Sequence, residues 1–183
     1  MSPITGIVVV LLLGGLAVLG LVKSAQGGAP AAPGGPNGSR PAPWPFADLI
    51  DKWARFYGLE PELIAAHAKT ESSFNPSAIN TEDPALDYDS SYGLMGVQLS
   101  VAQDAGAVKD YKHATAAEIA WLRDPDNNIQ IGAWNVERWH RRYSWDVAVQ
   151  MYNVGENGYN NLGRRNSAYL NKVREAYNVY CAR

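Results

Sequence analysis

A chain of 183 residues allows one ordinary globular domain or two small ones, and 46% hydrophobic against 19% charged residues excludes a wholly disordered polymer. Its net charge of −2, from 16 basic and 18 acidic side chains, argues against a nucleic-acid binder working through a broad basic face. A single cysteine, Cys181, excludes an internal disulfide framework and a zinc site built on several thiolates.

Residues 4–22 form a run of 19 residues without a charge. A hydrocarbon core of ~30 Å needs ~20 residues of helix, so a transmembrane helix is expected over 4–22. A cleaved secretory signal is the alternative. No Lys or Arg precedes the run, and it exceeds the ~7–15 residues of a signal core. Residues 23–45 read as a flexible linker, because 11 of the 22 residues from 24 to 45 are Gly or Pro. The folded domain is expected over 46–183, with all 18 acidic and 14 basic side chains, a net −4.

That domain reads as helices. Phe46, Leu49, Ile50, Trp53 and Phe56 recur at helical spacing, and Gly58 suits a helix stop. Pro61 fits the first turn of a second helix, whose apolar line Leu63, Ile64, His67 and Ala68 continues to Glu71. The polar stretch Asn80–Tyr92 allows a short hairpin at most. Ser100 is expected to cap a short helix ending near Gly106, and Thr115 with Glu118 fits a capping box. Asp124-Pro125 opens a helix with Ile129, Ala133, Val136, His140 and Tyr143 inward. Ser144 is expected to cap the next, with Trp145, Ala148, Val149 and Tyr152 inward, and Ser167 to open the last, with Leu170, Val173, Tyr177 and Tyr180 inward. No segment alternates with period two, so the class is mainly α.

Glu71 is the anomaly. An ionised carboxylate on an apolar stripe is costly to bury, and desolvation would hold it protonated nearer neutral pH. Such an acid is what general-acid cleavage of a glycosidic bond requires. The plain alternative is a helix-terminal Glu in solvent, or one paired with Lys69 or an arginine. With three dispersed histidines at 67, 113 and 140, no metal and no cofactor is expected.

Four separated segments carry a resemblance. Leu63-Ile64-Ala65-Ala66 with Glu71-Ser72-Ser73-Phe74-Asn75-Pro76-Ser77-Ala78 is the first, and Tyr92-Gly93-Leu94-Met95 the second. Asp124-Pro125 with Asn128-Ile129 and Gly132 is the third, and Met151-Tyr152-Asn153-Val154-Gly155 the fourth. In this order they resemble the catalytic domain of the soluble lytic transglycosylases, whose lysozyme-like fold is shared with goose-type lysozyme. The resemblance spans roughly 46–180. It implies a mainly α member of the α+β lysozyme superfamily. Three features depart from the family pattern. Gly96 stands where the family has Gln, with Gln98 two residues later, so either the backbone shifts to present Gln98 or that saccharide contact is lost. Met151 replaces an alanine, and the loop from Ile79 to Ser91 is longer and more acidic.

The resemblance implies cleavage of the peptidoglycan glycan strand between N-acetylmuramic acid and N-acetylglucosamine, closing a 1,6-anhydro ring. Glu71 would serve as acid and then base, with Tyr152 donating a hydrogen bond near it. Ser72 would place the strand or the loop, and Asn153 would hold backbone near the cleft. Gly93, Leu94 and Met95 would line the cleft floor, with Tyr92 and Gln98 among the sugar contacts. Two other readings stay open. Asp87 or Asp89 at roughly 6.5–9.5 Å from Glu71 would make an inverting hydrolase, and a silent glycan-binding membrane protein would keep the fold without chemistry. Tyr88, Trp134, Trp139 and Trp145 are candidate sugar platforms, those on helices equally core. With its anchor, the domain would work beside a membrane, in a phage virion that breaches the wall or in a bacterial envelope machine, with virion or envelope proteins as partners.

Overall fold

The structure, a computed structural model, describes residues 44–81 and 89–182. The expected span at 4–22, and all of the expected linker except Trp44 and Pro45, lie outside the described residues, as do Asp87 and Tyr88. Among the described residues no helix is long and apolar enough to cross a membrane. Among the described residues, packing includes Trp44, two residues ahead of the expected domain boundary. Trp44 is 8% exposed and meets Tyr180 edge-on at 5.0 Å, so one aromatic anchors a segment that composition assigns to linker.

Helix α1 (Ala47–Tyr57) buries Ile50 and Ala54 and stops at Gly58, whose φ of 67° only glycine adopts without strain. Phe56, expected inside, is 67% exposed. The 3.6-residue turn carries the inner line from Ile50 through Ala54 to Tyr57, which packs on the core instead. Helix α2 (Pro61–Ser72) opens on Pro61 and buries six consecutive residues, Leu63 to Ala68. A helix buried all round sits at the centre of a fold, and α2 touches α1, α5 and α7. It ends in two left-handed residues, Ser73 (φ 54°) and Phe74 (φ 64°), whose N–H groups donate back to Lys69 and Ala68.

Three two-residue strands follow, where at most a hairpin was expected. β1 (Ile79–Asn80), β2 (Ser91–Tyr92) and β3 (Val97–Gln98) form an antiparallel sheet in that order, pairing Ile79 with Tyr92 and Tyr92 with Val97. Strands this short carry no readable alternation. Helix α3 (Leu99–Asp104) starts directly after β3. Ser100 lies inside it rather than capping it. Asp89 reaches in from the preceding loop to accept from the Ser100 backbone N–H at 2.9 Å and from its hydroxyl.

The remaining helices follow the sequence closely. α4 (Ala116–Arg123) carries the Thr115–Glu118 capping box, and α5 (Pro125–His140) is capped by Asp124 and buries Ile129, Ala133 and Val136. α6 (Trp145–Asn160) is broken at Gly155 (φ 69°, ψ 164°), and Ser144 makes no side-chain cap bond. α7 (Ser167–Cys181) opens at Ser167 as expected and is capped by Asn166, whose side-chain Oδ1 accepts from the Tyr169 N–H at 2.9 Å and whose side-chain amide donates to Asn153 at 2.7 Å. α7 packs on α2 and α6, its Tyr177 hydroxyl bonding Glu60 at the start of α2 and its Tyr169 hydroxyl bonding Glu71 near the end.

Candidate active site

Glu71 sits in the last turn of α2, where the helix leaves the core and its side chain enters a groove. Three elements hold the facing loop, residues 93–96. From α5, the fully buried Asn128 accepts from the Met95 N–H at 2.8 Å and donates to the carbonyls of Tyr92 (2.8 Å) and Leu122 (3.0 Å). From α6, the Tyr152 hydroxyl donates to the Met95 carbonyl at 2.7 Å. From α2 itself, the Ser72 hydroxyl donates to the Leu94 carbonyl at 2.8 Å and accepts from the Asn75 N–H at 3.0 Å. Asn128→Ala would leave three buried backbone groups unpaired, and we expect a loss on the order of 3 kcal/mol in urea unfolding.

The loop brings Gly96 against the carboxyl. A Cβ at this position, with φ at 56°, would stand 2.5 Å from Glu71 Oε2. The other oxygen, Oε1, accepts from the Tyr169 hydroxyl of α7 at 2.6 Å, and that hydroxyl lies 3.0 Å from Nδ1 of the fully buried His67. Burial pushes the Glu71 carboxyl up to about 7, and the Tyr169 hydrogen bond opposes part of that rise. Burial and the neighbouring Glu71 charge hold the Tyr152 and Tyr169 hydroxyls well above the usual phenol range, so both remain donors.

The groove around Glu71 has a volume of about 370 Å³ and is walled by Gly96, Gln98, Asn135, Tyr152, Asn153 and Arg164, among others. It runs on, sharing Gln98, Asn135, Tyr152 and Arg164, into a second hollow of about 400 Å³ bordered by Trp139, Met151 and Leu162. Among the described residues no group of three or more His, Cys, Asp or Glu side chains converges to hold a metal ion.

Several expectations need correction. Tyr152 donates to the Met95 carbonyl beside Glu71, while the hydroxyl that donates to the acid itself is that of Tyr169. Leu94 and Met95 are 1% and 0% exposed, so they are core under the groove and not its floor. Met95 fills the space above Gly132, where a Cβ would meet its sulfur at 2.4 Å. Tyr92 is buried, and Gly93 packs on the Asn128 side chain. Of the other expected sugar contacts, Gln98 and Asn153 line the groove, while Ser72 is engaged in holding the loop. Asp89 reaches the groove wall, but its carboxylate is bonded to Ser100. Trp139 is core at 3% exposure, and Trp134 and Trp145 are half-buried under Arg138 and Arg174.

Tyr169, His67 and Arg164 were missed as site residues. Tyr169 lies one helical turn before Val173 on an inward face, so periodicity could have found it. His67 stands one turn before Glu71 on the same line, a spacing that places both side chains on one face. Nothing local marks Arg164.

Comparison with known proteins agrees with this geometry. The model of the Transglycosylase SLT domain family matches residues 48–175, more than half of the chain. "Membrane-bound lytic murein transglycosylase C" from Yersinia pestis (strain Pestoides F) is 36% identical over 88 residues, covering 48% of this chain and 22% of that protein. The protein of the same name from Yersinia pseudotuberculosis serotype O:1b (strain IP 31758) gives the same figures. The X-ray structure of an inactive mutant of lytic transglycosylase Slt from Pseudomonas aeruginosa superimposes with a TM-score of 0.51 at 19% identity, over 76% of this chain and 22% of that one. The likeness establishes a mainly helical, lysozyme-like fold, and the chain belongs to the Transglycosylase SLT domain family. It spans about a fifth of the length of the relatives it matches.

Proposed function

We propose that the protein is a peptidoglycan lytic transglycosylase that cuts the bond between N-acetylmuramic acid and N-acetylglucosamine. The observation that carries this is one carboxyl, Glu71, desolvated to a pKa of about 7 at the wall of an open groove. Protonated, it gives its proton to the glycosidic oxygen as the C1–O bond breaks, and the N-acetylglucosamine end departs as an alcohol. The resulting carboxylate takes the proton of the muramoyl C6 hydroxyl, whose oxygen closes on C1. The product is a 1,6-anhydro ring, no water is consumed, and Glu71 ends protonated as it began. A pKa near neutrality serves both transfers. A second carboxylate is unnecessary because the substrate supplies the nucleophile, and the occupied state of Asp89 fits that economy.

The test is digestion of purified walls with mass spectrometry of the released muropeptides. Anhydro ends are expected. Reducing ends would make the enzyme a hydrolase, and no release would make it a binding protein.

The apolar run at 4–22 and the Gly/Pro-rich 23–45 would tether the domain to a membrane of a virion or of the bacterial envelope, in keeping with relatives named membrane-bound. Arg164 lines both hollows with no side-chain partner among the described residues, whereas Arg165 beside it stacks on Tyr159 and bonds two carbonyls. A free guanidinium in the groove suits the carboxylates of peptide stems. Arg164→Ala is expected to raise KM about tenfold on stem-bearing strands and to leave KM on stem-free glycan unchanged, measured by product release.

A further inference from the structure

The two oxygens of Glu71 are not equivalent. Oε1 is turned inward to Tyr169, and Oε2 faces Gly96 at the groove. An acid that works on a bound strand must carry its proton on Oε2. We propose that His67, held as the Nδ1–H tautomer, fixes Tyr169 as a donor to Oε1 and so keeps the working proton of Glu71 on Oε2. This rests on the reading of Glu71 as acid and base.

Donor and acceptor capacity fixes the order of protons along Glu71, Tyr169 and His67. An ionised Glu71 can only accept, so in that state the Tyr169 hydroxyl must donate to Oε1. The tyrosine has one proton. Its oxygen, 3.0 Å from His67 Nδ1, is then left to accept, and Nδ1 must carry a hydrogen. The reverse order, in which Oε1–H donates to Tyr169 and Tyr169 donates to Nδ1, would point the acid proton away from the groove. It would also move the imidazole hydrogen to Nε2. That nitrogen is buried and has no hydrogen-bond partner among the described residues, so the shift would exchange an orphaned lone pair for a costlier orphaned N–H.

The groups facing this chain do not supply a relay. His140 of α5 lies near His67 without a hydrogen bond to it; burial lowers the His67 imidazole to about 3 and lowers that of His140 against the opposing charge of Glu60. Tyr152 of α6 lies against the His67 ring at 4.4 Å but spends its proton on Met95. His67 and Tyr169 are positioning residues. Neither needs to touch the sugar.

The first experiment is nitrogen-15 NMR of the histidine-labelled full chain from pH 5 to 8. His67 is expected to show a proton on Nδ1 throughout. A proton on Nε2 would overturn the proposal, and this readout holds whether or not walls are cut. The second is kinetics on purified walls. In His67→Leu, Tyr169 is free to accept from Oε1–H, so turnover should fall on the order of tenfold with KM unchanged. The alkaline limb of the pH profile should move upward, because the new bond favours the protonated acid. His67→Asn, whose amide N–H reaches the place of Nδ1–H, should restore most of the turnover. A folded His67→Leu protein with the original turnover and pH limb, or an Asn variant no better than Leu, would overturn the proposal. If the unmutated chain releases nothing from walls, the proposed function fails instead, and the tautomer is still decided by NMR.

Discussion

Glu71→Gln is expected to abolish glycan release, with turnover down by about 10³-fold or more, because the amide can neither give nor reclaim a proton at the bond being cut. The same change should stabilise the fold at alkaline pH. The native carboxyl binds its proton up to a pH of about 7, whereas the unfolded one releases it near 4.5. Between those values the native state holds more protons than the unfolded state, so stability falls as pH rises across the window. The fall is on the order of 3 kcal/mol and is complete above about pH 7. Urea unfolding at pH 5 and pH 8 should show this loss in the native protein and not in Glu71→Gln. Activity should follow the same carboxyl, declining as pH rises past about 7. A Gln variant that still cuts walls, or one with the native pH dependence of stability, would remove Glu71 from its role.

Gly96→Ala carries the second large effect. The added Cβ would stand 2.5 Å from Glu71 Oε2, and the loop cannot simply back away, because Asn128, Tyr152 and Ser72 fix its carbonyls and the Met95 N–H. The carboxyl must move. A displacement of about 1 Å at a reacting atom costs on the order of 100-fold in turnover. Gly58→Ala is the control. Gly58 has a φ of 67°, so alanine there meets the same left-handed strain, but nothing lies within 4 Å of its Cβ position. It should lose about 1 kcal/mol of stability and keep its turnover. Equal activity of the two variants would mean that contact with Glu71 is not what Gly96 provides.

At position 96 glycine leaves room for the Glu71 carboxyl, and Gln98, two residues on at the end of β3, lines the groove.

Much of the fold was legible because it is local. The Thr115–Glu118 box, the Asp124 cap, Pro61 in a first turn and the Gly58 stop each depend on a few consecutive residues whose side chains satisfy free backbone groups or permit a left-handed turn. Phe56 and Ser100 misled for the opposite reason. Whether an aromatic turns inward or a hydroxyl caps depends on neighbours elsewhere in the chain: Tyr57 and the core, and Asp89.

The sequence by itself determined that a carboxyl at position 71 ends an apolar helical stripe, and left open whether it met solvent or was desolvated. Only the tertiary structure decided which groups meet it. Tyr169 is 98 positions away, and Tyr152 is 57 from the carbonyl it holds. A hydrogen bond between helices is set by how their packed faces close on one another, and no spacing along the chain encodes that register. The acid therefore showed in the pattern of one helix, while its orientation depended on α6 and α7 closing over α2.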